Sequence, residues 1–188
     1  TVPSSSVPYS VIFMFGCLAP YLTFLNMRET NDAWYTAILP VTKRESVLGK
    51  CLLVVVLQLF QLAFSLPFAL LRSALHIANN PVGLDATVAW YGFGFLLFAV
   101  FDAVFLTSFY RSGYKVGTSF LLAAVPMALL MAPIEPTAYI PALAWLDSCR
   151  PEHLRMQLPI FIVGIACYGA LVPSAYRIAA NRFEQVDL

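Results

Sequence analysis

Five apolar runs of about 20 residues constrain the fold of this chain more than any other feature of its sequence. A helix needs about that many apolar residues to cross roughly 30 Å of hydrocarbon at 1.5 Å per residue. The runs are approximately Pro8 to Asn26, Val47 to Leu71, Thr87 to Tyr110, Val116 to Ile134 and Gln157 to Tyr176. None alternates apolar and polar residues with the period of two that is typical of a membrane barrel. The sequence therefore predicts an all-α fold, a polytopic membrane helix bundle with five spans.

The composition agrees with a membrane protein and argues against a nucleic-acid partner. The chain is 60% hydrophobic and 11% charged, with a mean hydropathy of +0.78, which lies outside the range of soluble globular domains. Its formal net charge is only +1, and its 11 Lys and Arg residues are scattered along the sequence. A surface that binds phosphate groups needs a concentrated basic patch. We therefore expect a single transmembrane domain over residues 1–188 in contact with lipid, and no nucleic acid.

The Lys and Arg residues are divided unevenly between the two sides of the predicted bundle. One side has Arg28, Lys43, Arg44, Lys50, Arg111, Lys115, Arg177 and Arg182, whereas the other has Arg72, Arg150 and Arg155. Because Lys and Arg accumulate in cytoplasmic loops, the first residues should lie outside and the C-terminus in the cytoplasm. We expect a multi-pass protein of a prokaryotic plasma membrane. Since five spans place the two ends on opposite sides, we also expect one more helix before Thr1, making six in the full protein.

A polar segment, residues 27–46, separates the first two apolar runs. Thr42 and Glu45 have the spacing of a capping box, in which each side chain bonds the backbone N–H of the other residue. This pattern predicts that the second helix begins at about Lys43. Pro40 favours an extended approach and excludes one continuous helix through the segment.

A second, shorter helix is predicted within the same segment, from Asp32 to Leu39. Asn31 can cap it, and Asp32 lies in the first turn, where the helix dipole favours an acid. Apolar and aromatic side chains recur at a spacing of four, Trp34 with Ile38 and Tyr35 with Leu39. This amphipathic pattern is typical of a helix that docks into a groove on a cytoplasmic protein, and the alternative is an interfacial helix whose aromatic residues lie at the headgroups.

The residues from Glu29 to Lys50 resemble the cytoplasmic loop of small type-two ABC transporter permeases. That loop typically has an acid, an aromatic residue, Leu-Pro-Val-Ser/Thr, two basic residues, an acid, and Gly-Lys or Ala-Lys. The corresponding residues here are Glu29, Trp34, the run from Leu39 to Glu45, and Gly49-Lys50. Over the rest of the chain the resemblance is a pattern of spans and loops, with five spans where such permeases have six.

This resemblance implies a subunit without catalytic chemistry of its own. In the family, two permease subunits pair in the membrane, and two separate ATPase subunits, which bind ATP and Mg, each grip a short coupling helix in the cytoplasmic loop. Applied to this chain, the coupling helix is Asp32 to Leu39. Its candidate groove-filling residues are Trp34, Tyr35 and Ile38, and Glu29 is the acid at its approach.

The sequence contains no catalytic or cofactor-binding motif. Gly49-Lys50 is not part of a GxxxxGK[ST] phosphate loop, since Cys51 follows it, and no HExxH motif or G-x-S-x-G motif is present. The two histidines, His76 and His153, are far apart in predicted external loops. We therefore expect that the chain is not an enzyme and holds no cofactor or metal.

Three polar residues lie within the apolar runs. An ionised carboxylate such as Asp102 near the bilayer centre costs about 2.5 to 3.5 kcal/mol, so Asp102 should face protein, water or a partner charge. Its role is either a structural hydrogen bond to an adjacent helix or a part in gating or substrate passage. Gln58 and Gln61 are candidates for contacts between helices or for lining a path.

The predicted external loop, Pro133 to Met156, contains several prolines and apolar residues, among them Ile140 and Trp145. This composition suits a segment that lies on or dips into the outer membrane surface, similar in position to the short re-entrant element of type-two exporters. An ordinary surface loop with one interfacial Trp is the alternative.

Taken together, these patterns favour the membrane subunit of an ATP-driven exporter. The apolar, aromatic-rich bundle suits amphipathic or hydrophobic cargo, such as small peptides or lipid-like compounds, better than ions or sugars. The alternative is a non-transporting membrane protein, with an immunity, structural or sensor role, whose cytoplasmic loop binds a regulator. The resemblance between Leu39 and Lys50 favours the exporter.

Overall fold

The computed structural model describes residues 9–30, 38, 40–75, 83–113 and 115–185. In these ranges all regular secondary structure is helical, and five helices are long and apolar enough to cross a membrane. They are α1 (Val11–Glu29), α2 (Lys43–Ala74), α3 (Val88–Arg111), α4 (Val116–Ile134) and α5 (Pro151–Glu184). Two 3-10 segments, Glu135–Tyr139 and Pro141–Asp147, lie between α4 and α5. The predicted all-α bundle of five spans is confirmed.

Successive helices run in opposite directions, so the bundle has two distinct ends. At one end the first turn of α2 contacts the last turns of α5, through Arg44 and Glu184. We call this the basic end. At the other end, which includes both 3-10 segments and which we call the 3-10 end, Arg72 of α2 contacts Asp85, just before α3.

Helix α3 forms the centre of the bundle. In its most apolar 18-residue window 56% of the residues are buried, against 22% to 33% in the other four helices. It packs most extensively against α5 and next against α4, whereas α2 packs on α5 and α1. Helix α1 contacts α3 mainly through aromatic rings. The ring centroids of Phe13 and Trp90 lie 4.4 Å apart, and those of Phe24 and Phe109 lie 4.7 Å apart.

Two glycines allow α3 and α5 to approach closely. A Cβ on Gly164 would overlap the carbonyl oxygen of Gly92, and a Cβ on Gly92 would lie 2.8 Å from the backbone of Phe161. Gly94, on the same helix as Gly92, leaves room for the ring of Phe13. By contrast, a Cβ on Gly169 would meet no atom within 4 Å. Gly92, Gly94 and Gly164 therefore lie at close contacts between helices, whereas Gly169 does not.

Helices α2 and α5 begin several residues before the apolar runs that predicted them. Helix α2 begins at Lys43 instead of Val47, and α5 runs from Pro151 to Glu184 instead of Gln157 to Tyr176. The reason is that caps and prolines, and not hydropathy, determine where helical hydrogen bonding begins; Pro151 occupies the first turn of α5, where its missing N–H is tolerated. The predicted loop 133–156 is therefore shorter, because its last six residues belong to α5 and its first two belong to α4.

Candidate functional site

The start of α2 is capped as the sequence predicts. The Thr42 N–H donates to Glu45 Oε2 over 2.8 Å, and the Glu45 N–H donates to Thr42 Oγ1 over 3.3 Å. The Thr42 hydroxyl also donates to the same carboxylate oxygen over 2.8 Å. This reciprocal cap fixes the point at which the loop from α1 becomes the rigid helix α2.

The first turn of α2 is tied to the last turns of α5 and, through α5, to α3. Arg44 Nε lies 2.7 Å from Glu184 Oε1, and Arg44 Nη2 donates to Asn181 Oδ1 over 3.3 Å. On the same turn of α5, Arg182 Nη1 donates to the Thr107 carbonyl oxygen of α3 over 2.6 Å. Three helices are thus connected at the basic end, next to the predicted coupling loop.

The predicted coupling residues are only partly covered by the structure. Glu29 is the exposed last residue of α1, and the side chain of Ile38 is 65% exposed. Both are therefore accessible on this chain. Asp32, Trp34, Tyr35 and Leu39 lie outside the described residues, so the coupling helix stays a prediction.

In the middle of the bundle Asp102 belongs to a buried hydrogen-bonded network that joins three helices. Gln58 Nε2 of α2 donates to Asp102 Oδ1 of α3 over 2.9 Å, and the Tyr168 hydroxyl of α5 donates to Gln58 Oε1 over 2.8 Å. Gln58 and Asp102 have no solvent exposure, and Tyr168 is 9% exposed. The carboxylate oxygen Oδ2 of Asp102 is buried and has no hydrogen-bond partner among the described residues.

Gln61, one turn further along α2, faces a different neighbour. Its Nε2 donates to the Ile12 carbonyl oxygen of α1 over 2.5 Å. Gln58 and Gln61 both bond to adjacent helices, as expected for contacts between helices, but they join α2 to different partners. The two glutamines therefore hold α2 between α1 on one side and α3 with α5 on the other.

At the 3-10 end a residue that the sequence did not single out, Gln157, organises the segment between α4 and α5. Its buried Nε2 lies 2.7 Å from the Trp145 carbonyl oxygen and 3.0 Å from that of Ser148. Its Oε1 accepts from the Ala89 N–H in the first turn of α3 over 3.2 Å. Gln157 marked the edge of an apolar run, where a polar residue is ordinary, and so gave no signal. Tyr168 likewise gave none, because Tyr is common in spans.

The segment before α5 also packs onto the bundle through other contacts. Leu146 is 4% exposed, and its carbonyl oxygen accepts from the Thr87 hydroxyl over 2.9 Å. Asp147 Oδ1 accepts from the Asp85 N–H over 2.6 Å. Tyr139, in the first 3-10 segment, is 62% exposed. The second 3-10 segment therefore packs onto this end of the helix bundle, whereas the first exposes the ring of Tyr139.

In the part of the chain that the structure describes, no group of three or more His, Cys, Asp or Glu side chains could hold a metal ion. The arrangement is one of helices joined by polar contacts at three levels: the basic end, the middle and the 3-10 end.

Comparison with known proteins agrees with these features. The chain matches the model of the family described as ABC-2 family transporter protein over residues 3–178, nearly its whole length. A search of curated proteins and a search of solved structures each found no match. Members of this family are membrane components of ABC transporters and normally work with an ABC ATPase. The chain therefore belongs to the ABC-2 transporter family and is a multi-pass membrane permease.

Proposed function

We propose that this chain is the permease of an ATP-driven exporter, and that it couples ATP hydrolysis by a separate ATPase subunit to the export of amphipathic or hydrophobic cargo. The family match over residues 3–178 supports the transporter, and the resemblance between Glu29 and Lys50 supports the exporter type. ATP and Mg bind to the ATPase in this proposal, and the permease works as a homodimer or as half of a heterodimer.

The observation that carries the coupling mechanism is the connection of Arg44 to Glu184. A short helix in residues 27–46, gripped by the ATPase, would pull on the capped start of α2. Because Arg44 joins α2 to α5, and Arg182 joins α5 to α3, that force moves the three helices as a unit. Rigid-body rocking of one bundle against its partner would then open a path on the far side.

The experiment uses two exposed isoleucines at opposite ends of the bundle as a matched pair. Ile38 is 65% exposed at the basic end, and Ile140 is 44% exposed at the 3-10 end. Ile38→Asp should weaken co-purification of the candidate ATPase, because a charge replaces a groove-filling side chain. Ile140→Asp should leave it unchanged. Equal yields of ATPase with both variants would contradict the proposed docking site.

A further inference from the structure

Two adjoining cavities near the 3-10 end differ in chemistry and share a wall. The first, which we call the polar cavity, has a volume of about 860 Å³ and is lined by charged side chains, among them Arg72, Asp147 and Arg150, together with Trp145 and several alanines and prolines. The second, of about 490 Å³, is an apolar groove between α1 and α2. Ala69, Arg72 and Ala86 line both. A molecule with a polar head and an apolar chain could therefore occupy them together.

The groove has the length and character of a site for one hydrocarbon chain. Phe15 is 65% exposed, and Phe64 and Phe68 are each 59% exposed, so the groove opens toward the surrounding hydrocarbon. Its wall on α2 runs from Gln61 to Arg72, 11 residues apart, which is about 16 Å at 1.5 Å per residue. That is about half of the roughly 30 Å hydrocarbon thickness, or one leaflet.

The charged groups of the polar cavity favour an anion. Asp85 pairs with Arg72 at 3.1 Å, and Asp147 accepts a hydrogen bond from the Asp85 N–H. The exposed guanidinium of Arg150, by contrast, has no ion-pair partner among the described residues. Nδ1 of His153, in the same lining, is buried and has no hydrogen-bond partner there.

A third polar group without a partner among the described residues lies in the groove. Trp90 lines the groove and is 1% exposed, and its Nε1 has no hydrogen-bond partner within the described ranges. A buried N–H donor left unpaired is unfavourable, because it has lost its hydrogen bond to water without gaining another. An acceptor oxygen on a bound molecule would satisfy it, and the ester groups of a lipid lie between the head and the chains.

We propose that these cavities bind an anionic phospholipid of the leaflet at the 3-10 end. One acyl chain lies along the groove between α1 and α2, and the phosphate lies in the polar cavity against Arg150 and His153. The ester oxygens supply acceptors for Trp90 Nε1. This site goes beyond transport and does not depend on it, because its occupancy is measured on the permease alone, without an ATPase.

The test uses the two tryptophans at the site as reporters. Of the three tryptophans in the sequence, Trp34→Phe leaves Trp90, which lines the groove, and Trp145, which lines the polar cavity. The protein is placed in phosphatidylcholine vesicles that contain a small share of one lipid with brominated chains, either phosphatidylglycerol or phosphatidylcholine. Brominated chains quench tryptophan fluorescence on contact. Brominated phosphatidylglycerol should reach half-quenching at a mole fraction about three- to fivefold lower than brominated phosphatidylcholine does. That ratio corresponds to the free energy of a partly exposed ion pair.

Two matched pairs of variants locate the head and the chain. Arg150→Gln should remove most of the preference for phosphatidylglycerol, whereas Arg155→Gln, an equal change of charge outside both cavities, should keep it. Ala69→Phe fills the shared wall and should reduce quenching by both lipids, whereas Ala63→Phe on the exposed side of α2 should not.

Three outcomes would overturn the proposal. The first is equal quenching by the two brominated lipids in the parent protein. The second is an equal effect of Arg150→Gln and Arg155→Gln. The third is loss of the preference with Arg150→Gln but no effect of Ala69→Phe, which would mean that an anion binds without its chain. Each variant is first checked for its unfolding temperature, so that a folding defect is not counted as lost binding.

Discussion

Gln58 shows how a single side chain can join three membrane helices. An amide is both a donor and an acceptor, so Gln58 donates to Asp102 of α3 and accepts from Tyr168 of α5. A carboxylate at position 58 could only accept, and would face Asp102 with a like charge. Hydrogen bonds between membrane helices average about 0.6 kcal/mol. The network therefore specifies how the helices pack more than it stabilises them.

Substitutions at Asp102 separate a structural role from a functional one. Asp102→Asn keeps an Oδ1 that can accept from Gln58, so the protein should remain folded with nearly the stability of the wild type. Asp102→Leu leaves the buried Gln58 amide without its acceptor and should destabilise the protein by about 1 to 3 kcal/mol. Thermal unfolding in detergent measures both.

Transport by the same variants decides the role. If Asp102→Leu lowers stability and transport together, Asp102 is structural. If Asp102→Leu retains wild-type stability and only transport falls, the structural account is wrong and the residue acts in gating or passage.

The sequence singled out two members of this network, Asp102 and Gln58, but gave no indication that they bond to each other or to Tyr168. Asp102 stands out because a charge in an apolar run is rare and needs an explanation. Gln58 was noticed with Gln61, but a spacing of three gives no indication that the two face different helices. Tyr168 is indistinguishable by sequence from a lipid-facing tyrosine. The sequence does not show how each helix is rotated about its own axis, because packing against the other helices determines that rotation.

At the scale of the helices, the contact between α3 and α5 depends on the pair Gly92 and Gly164. Gly164→Ala would place a methyl group onto the Gly92 carbonyl and should destabilise the protein by about 1 to 3 kcal/mol, as overpacking does. Gly169→Ala, on the same helix, meets no atom within 4 Å and should be neutral or stabilising by up to about 1 kcal/mol. The unfolding temperatures of the two variants are compared. Equal values would show that the stability of the protein does not require the close approach of α3 and α5.

The helix boundaries divide into those that the sequence could predict and those that it could not. The Thr42 and Glu45 pattern placed the start of α2 correctly at Lys43, although the apolar run began four residues later. The extension of α5 to Glu184 was missed, because polar residues past Tyr176 have no apolar run to mark them. There the helix is held by contacts distant in sequence, through Arg182 and Glu184.

The predicted coupling helix is tested through Trp34. Trp34→Ala should lower association with the ATPase by roughly 2 kcal/mol or more, the scale of a buried aromatic anchor, and should leave membrane insertion intact. Trp34→Phe keeps an aromatic ring and should retain most of the association. Co-purification of the ATPase at wild-type yield with Trp34→Ala would argue for an interfacial helix instead.

At the scale of the whole molecule, the uneven distribution of Lys and Arg predicts which end faces the cytoplasm. Cys149 is exposed at the 3-10 end, so a membrane-impermeant maleimide should label it in intact cells. Partial burial of the thiol, with smaller contributions from Asp85 and Asp147, raises the pKa of Cys149 above its usual value. Since the thiolate reacts, labelling should be slow at neutral pH and become faster as the pH rises.

The control for this orientation is a cysteine at the basic end. Gln185→Cys, at the exposed C-terminal cap of α5, should react only after the cells are opened. If the cysteine of Gln185→Cys reacts in intact cells and Cys149 does not, the predicted orientation is wrong.

The packing of the bundle also bears on assembly. Its centre is filled by α3 and by phenylalanine side chains such as Phe98, Phe101 and Phe105, all fully buried. A path for cargo larger than an ion is therefore more easily formed between two bundles than through one. We expect two permease subunits and two ATPase subunits in the working particle, with the loop 27–46 of each permease in an ATPase groove.

Native mass measurement of the complex in a lipid disc tests this account most directly. The permease is co-expressed with the candidate ATPase, purified, and assayed for export in the same preparation. The account predicts a particle with two copies of each chain, which separates when Trp34 is replaced by Ala. A monomer that binds no ATPase and yet retains its activity would contradict it.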